Sequence, residues 1–134
     1  MEKAVLEKQV VAITNNKVGM FAEVTSCLAE AKINIRAICA WSMQDKAHFS
    51  LLTNNNAEAL AALNAKGFEV NEEAVVTVNL DDKIGSAANI AQKLKGAGIN
   101  LDYIYGTSCG CPKTTALLVL VSKENAKIVD TLKG

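Results

Sequence analysis

Proline occurs once in the 134 residues, histidine once, and aromatic side chains make up only 4%. So few aromatics argue against surfaces that stack sugars or bases, and one proline argues against a polyproline ligand. A single histidine, His48, limits the catalytic options sharply. Net charge is missing too: 14 basic residues balance 14 acidic ones. Broad nucleic-acid binding needs a basic surface that displaces counterions, and there is none to spare. Long apolar runs are also absent. An uncharged stretch such as Ala47 to Ala57 is about half of the roughly 20 apolar residues that a membrane span needs. The start, Met1-Glu2-Lys3-Ala4, lacks the basic-then-apolar layout of a secretory signal. With four cysteines, this points to a reducing cytoplasm and free thiols.

What the chain does have is apolar bulk and internal order. Half of its residues are apolar and 21% are charged, the profile of a globular protein. Shifted by 66 residues, the sequence matches itself. Val10 to Ile38 falls on Val76 to Ile104 with nine identities in 29 positions. They include Lys17 on Lys83, Gly19 on Gly85, Leu28 on Leu94, Ile33 on Ile99 and Asn34 on Asn100. A unit of about 65 residues therefore occurs twice.

Each unit reads as strand, helix, strand, strand, helix. Val10 to Thr14 and Ala74 to Leu80 are β-rich runs that end in polar turn residues. Phe21, Val24, Leu28 and Ala31 then form an apolar stripe at helical spacing, matched by Ala87, Ile90, Leu94 and Ala97. Gly96 and Gly98 mark the end of the second of these helices. Strand character resumes over Ile33 to Met43 and Ile99 to Thr107. Ala47 to Thr53 and Thr115 to Val121 are third strands. Asn54-Asn55-Asn56 and Ser122 are N-cap candidates for the last helices. Phe68 to Val70 closes the first unit as a fourth strand, whereas the second stops at Lys133-Gly134 without one. The expected fold is α+β: two tandem ferredoxin-like βαββαβ units, antiparallel sheets with helices on one face, the second unit lacking its last strand. The expected domains are 1–72 and 73–134. An uncovered Val75–Leu80 edge would invite aggregation. The early residues Met1 to Glu7, with Ala4-Val5-Leu6, or another copy of the chain, are expected to cover it.

Asn16-Lys17-Val18-Gly19-Met20-Phe21 followed by Ile33-Asn34-Ile35 resembles the ACT domain. Asp82-Lys83-Ile84-Gly85 with Gly98-Ile99-Asn100-Leu101 repeats the pattern. From Lys8 to Leu132 the chain looks like a stand-alone tandem ACT protein. The resemblance implies a non-catalytic regulatory module that binds an amino acid at the interface between paired ACT units. It implies a homodimer or higher homo-oligomer, with a regulated enzyme as a candidate partner and no cofactor. By position, it implies ligand contacts at Asn16, Lys17, Val18, Gly19, Met20 and Asn34, and at Asp82, Ile84, Gly85 and Asn100. The glycine lets the backbone approach the ligand, and the asparagine opening the second strand bonds a ligand held by the neighbouring unit. The family's usual proline before the glycine is replaced by Val18 and Ile84. The histidine that some members carry on the first strand is replaced by Thr14 and Leu80.

Physics gives the same loops a matching reading. A loop entering a helix N-terminus offers free N–H groups and partial positive charge, which suits a carboxylate. Asparagine supplies both donor and acceptor for a zwitterion. Asp82 disfavours a carboxylate by like charge, so Asn16, Gly19 and Asn34 make the better site. An alternative stays open: Asn16 and Asp82 are ordinary caps, Gly19 only closes a turn, and the protein is a structural dimerisation module.

Other groups carry less. Cys109-Gly110-Cys111-Pro112 offers two thiols but not the four ligands of a structural zinc site, so it reads as a hairpin. Cys27 and Cys39 read as small hydrophobes. Asp81-Asp82 and Glu72-Glu73 are neighbours in sequence and point apart in a strand. Trp41 and Met43, ending a strand, could line an apolar pocket or a dimer contact. An RNA-recognition sheet shares the βαββαβ order, but Ala47 to Leu52 lacks its basic and aromatic residues.

Overall fold

The computed structural model describes residues 3–107 and 115–133. These form six strands and four helices: β1 (Lys3–Asn15), α1 (Met20–Glu30), β2 (Ile35–Met43), β3 (Lys46–Thr53), α2 (Asn56–Ala65), β4 (Glu69–Asp81), α3 (Ser86–Gly96), β5 (Tyr103–Thr107), β6 (Thr115–Val121) and α4 (Asn125–Lys133). The chain divides into two compact units, Lys8–Glu73 and Met1–Glu7 with Ala74–Gly134.

In the Lys8–Glu73 unit the strand order is β2-β3-β1-β4. β3 runs antiparallel to β1, with Val10 opposite Leu51 and Asn15 opposite Lys46. β2 runs antiparallel to β3, with Trp41 opposite His48. Alternation along the strands turns Val10, Ala12, Phe49 and Leu51 to one face, where Val24 and Leu28 of α1 and Leu63 of α2 bury them. The other unit follows the same plan in the order β1-β4-β6-β5. Val76, Val78, Leu80 and Leu120 pack with Ile90 and Leu94 of α3 and Ile128 and Leu132 of α4.

The fold class is the expected one, two βαββαβ-like units, and among the described residues no strand follows α4. Two strands are far longer than their sequence signals. Val10 to Thr14 is the visible run, yet β1 begins at Lys3, and β4 passes without a break through Asn71-Glu72-Glu73. Lys3–Glu7 of β1 thereby covers the Val75–Leu80 edge. The Thr77 hydroxyl donates to Glu7 Oε2 at 2.5 Å, and Ala4 packs against the core of that unit.

Val24 and Leu28 of the expected α1 stripe are buried and Ala31 packs against them, but the start of the stripe differs. Met20, not Phe21, is buried, with 6% exposure against 62%, and the buried set is Met20, Val24, Cys27 and Leu28. In α3, Ser86 likewise takes the buried place expected of Ala87.

Both first helices end alike. Ile33 N–H donates to Leu28 O and Ile99 N–H to Leu94 O, over a left-handed residue. That residue is Gly98 (φ 70) in one unit but Lys32 (φ 61) in the other. A side chain in this region clashes with the backbone, which glycine avoids. Lys32→Gly should therefore stabilise the protein by about 1 kcal/mol, read as a rise in the urea midpoint. No change would mean that the Lys32 side chain makes compensating contacts of its own.

Candidate functional site

The loop from Asn16 to Gly19 joins β1 to α1. Its backbone is pinned by Asn16 N–H donating to Asp45 O at 2.8 Å, in the β2–β3 turn. Gly19 is the residue that starts α1. Its φ of 95° lies in the left-handed region, and a Cβ there would meet nothing within 4 Å. The glycine is thus required by backbone conformation, and the space in front of it is open. The first intrahelical bond runs from Glu23 N–H to Gly19 O at 2.9 Å. The N–H groups of Phe21 and Ala22 lie ahead of it, and no side chain caps them.

The second unit repeats this geometry. Gly85 has φ 90°, Asn89 N–H donates to Gly85 O at 3.0 Å, and α3 has no side-chain cap. In contrast, α2 is capped by a side chain: Asn55 Oδ1 accepts from Glu58 N–H at 3.1 Å. At both of these helix starts the N-cap position is a glycine, which has no side chain to cap with. At the loop tips Val18 and Ile84, where the family pattern has proline, are fully exposed at 102% and 104%.

Beside the first loop lies a groove of about 270 Å3. It is lined by Met20 and Phe21 of α1, by Ala47 and Phe49 of β3, by residues 40–42 of β2 and by the polar Asn16 and Lys17. Trp41 stacks on His48, ring centroids 5.2 Å apart and planes 5° apart, on the sheet face opposite that of Ala47 and Phe49. A second hollow of about 380 Å3 also touches Lys17. Lys46 and Lys66 line it together with Glu23 and Glu69, so no single sign of charge dominates there.

Asn16, Lys17, Gly19 and Met20 thus share one groove. Asn34 does not join them within the same unit. It follows α1, whose 11 residues put roughly 16 Å between its two ends. Its backbone is held at the start of β2: Asn34 N–H donates to Asn54 Oδ1 at 3.0 Å, and Asn54 N–H donates to Asn34 O at 3.2 Å. Its side chain is exposed. Asn100 occupies the corresponding place after α3, where Ser122 Oγ donates to its carbonyl at 2.7 Å. Asp82, Ile84 and Gly85 share the second loop.

Sequence reasoning missed the roles of Phe21 and Phe49. Helical spacing places Phe21 in the buried stripe, and Phe49 meets the loop only through long-range packing. The phase of α1, with Met20 as the first buried residue, is the signal that could have freed Phe21.

The other candidates separate cleanly. Cys27 is buried, its thiol donates to Ala62 O at 3.4 Å, and burial pushes its pKa up against the opposing pull of Lys66. It is not poised as a nucleophile. Cys109 and Cys111 lie outside the described residues. Among the described residues no cluster of three or more metal-binding side chains occurs, and no helix is long and apolar enough to cross a membrane.

Comparison with known proteins bears on these loops. The sequence model of the ACT domain pair matches residues 5–131. No curated protein matches the chain. Among solved structures, protein BT0572 from Bacteroides thetaiotaomicron is 27% identical, with a TM-score of 0.87, over 97% of this chain and 88% of that one. The regulatory subunit of aspartate kinase from Thermus thermophilus, in a ligand-free form, is 18% identical with a TM-score of 0.67, covering 97% and 94%. E. coli aspartokinase III in complex with lysine and aspartate is 20% identical with a TM-score of 0.57, covering 97% of this chain and 32% of that one.

Proposed function

The chain belongs to the ACT domain family, and from that premise we propose that it is a non-catalytic regulatory protein that binds a free amino acid. The carboxylate lies against the uncapped N–H groups at the start of α1, where the helix dipole favours negative charge. Gly19 leaves the approach clear, and Asn16 offers donor and acceptor to the ligand's charged ends. The ligand is held at an interface between ACT units. Asn34, too far from the loop of its own unit, contributes from a neighbouring one, such as that of a second copy in a homodimer. Asp82, Ile84, Gly85 and Asn100 form the corresponding place in the second unit. Asp82 makes it the weaker site for a carboxylate. Ligand binding then changes the protein's own assembly or its hold on a regulated enzyme.

The observation that carries this reading is the contrast between helix starts. α1 opens on a glycine and leaves its first N–H groups uncapped beside a groove, while α2 satisfies its own with Asn55. A ligand selective for the folded state raises the melting temperature by mass action, about 2.7 kcal/mol of added stability at 100 times Kd. Thermal melts against each of the twenty amino acids should single out one or a few. If none raises the melting temperature at millimolar concentration, the protein is a structural pairing module and both glycine loops are empty.

A further inference from the structure

We propose that the second unit is a detachable half of the protein: it opens while Lys8–Glu73 stays folded, whereas Lys8–Glu73 does not open without taking the second unit with it. This goes beyond the amino-acid-binding reading above and does not depend on it. The argument is one of chain continuity. The first unit is one unbroken stretch, Lys8–Glu73, and holds its four strands within that stretch. The second unit is split. Its strand beside β4 is Lys3–Glu7, and everything else in it starts at Ala74. The chain joins these two pieces only by way of residues 8–73.

Lys3–Glu7 continues without a break into Lys8–Asn15 as the single strand β1. The continuation is fixed in the first unit. Val10 to Asn15 pair with β3, and Gln9, fully buried, donates to Glu73 Oε1 at 2.8 Å. The two chains leave the Gln9–Glu73 bond as neighbouring strands, and the Thr77 hydroxyl carries the pairing on by donating to Glu7. A folded first unit therefore delivers Lys3–Glu7 already extended and in register. With the first unit unfolded, residues 8–73 become a loose loop. Closing it falls with the three-halves power of its length, a penalty of roughly 500-fold. A unit this small is marginal to begin with, so that penalty removes its stability. The converse does not hold. When the second unit opens, Lys8–Glu73 stays contiguous, with Val24, Leu28, Phe49, Leu51 and Leu63 still buried together. Opening frees Lys3–Glu7 and the apolar Val75–Leu80 edge at once, which makes the second unit an order–disorder element built into the fold.

Native-state hydrogen exchange on the full chain tests this. The reporters are the amides of β3 and β6, each of which has a strand on both sides within its own unit. The β3 amides should be the better protected. Ile128→Ala, at a fully buried position in the second unit, should lower protection in both strands by about 30-fold or more, because each opens only with that unit. Leu63→Ala, fully buried in the first unit, should lower β3 by a similar factor and leave β6 within about 2-fold. If either alanine variant fails to fold, Ile128→Val and Ile33→Val should give the same pattern at about 3–10-fold. Two results overturn the proposal. A loss confined to β6 in Ile128→Ala would show that the units open independently. An equal loss in β3 and β6 in Leu63→Ala would show that the chain opens only as a whole.

Discussion

Deleting residues 1–7 should lower the melting temperature by about 10–20 °C. Lys3–Glu7 of β1 runs beside β4 in the unit that contains residues 74–134, in which no strand follows α4 among the described residues. Its removal has three separable costs. The ladder between β1 and β4 loses hydrogen bonds at a net value of about 1 kcal/mol each. The Thr77 hydroxyl, 1% exposed, loses its acceptor Glu7 and is left buried without it, at about 1–3 kcal/mol. Ala4 leaves the face of the core that it partly covers. Together these exceed about 3 kcal/mol, and each kcal/mol moves the melting temperature of a small domain by about 4–8 °C. The freed β4 edge is largely apolar and uncharged from Val75 to Leu80, so the truncated protein should also aggregate. A synthetic peptide of residues 1–9 added in trans should recover part of the lost stability by strand addition. An unchanged melting temperature, with the truncated chain still soluble, would show that the edge does not depend on this segment.

Gly19→Val should abolish amino-acid binding, by about 100-fold or more, and leave the protein folded. Valine is strained at φ 95°, and the strain is of order 1–3 kcal/mol, within the 5–15 kcal/mol stability of an ordinary domain. The loop can relieve it by rotating the peptide planes ahead of α1, which turns the N–H groups away from the carboxylate. Two bonds from N–H to a charged oxygen, at about 1.5–3 kcal/mol each, account for the expected loss. Gly85→Val is the matched control. It occupies the same backbone region, φ 90°, with the same open space around it, so its effect on stability should be similar. Binding at the first loop should survive it. Equal loss of binding in both variants would mean that the glycines act through the fold and not through a ligand at Gly19.

The parts of the fold that were legible are those set by local chemistry. The repeat revealed two units, Thr115–Val121 was recognisable as β6 from its apolar run, and the asparagine before α2 announced its cap. The full length of the long strands was hidden because Asn71-Glu72-Glu73 is polar and reads as a linker after Phe68–Val70, and because Lys3–Glu7 carries no signal that joins it to Val10–Thr14. Only pairing with a neighbouring strand makes them β. The start of the α1 stripe was misread because Met20 and Phe21 are both apolar and adjacent, and spacing to Val24 alone does not choose between them. At the site, the loop and its glycine were visible from spacing, since a positive φ demands that residue. The groove that brings Phe21 near Phe49 was not, because it joins a helix start to a strand far along the chain, a meeting no local pattern encodes.

The central claim is that a free amino acid binds with its carboxylate at the start of α1. Titration of 15N-labelled protein with the twenty amino acids in turn, followed by amide NMR, tests it residue by residue. The expected result, for at least one of them, is saturable shifts that are largest at the amides of Gly19, Phe21 and Ala22. Spectra unchanged at millimolar amino acid, or shifts confined to residues away from this loop, would contradict it.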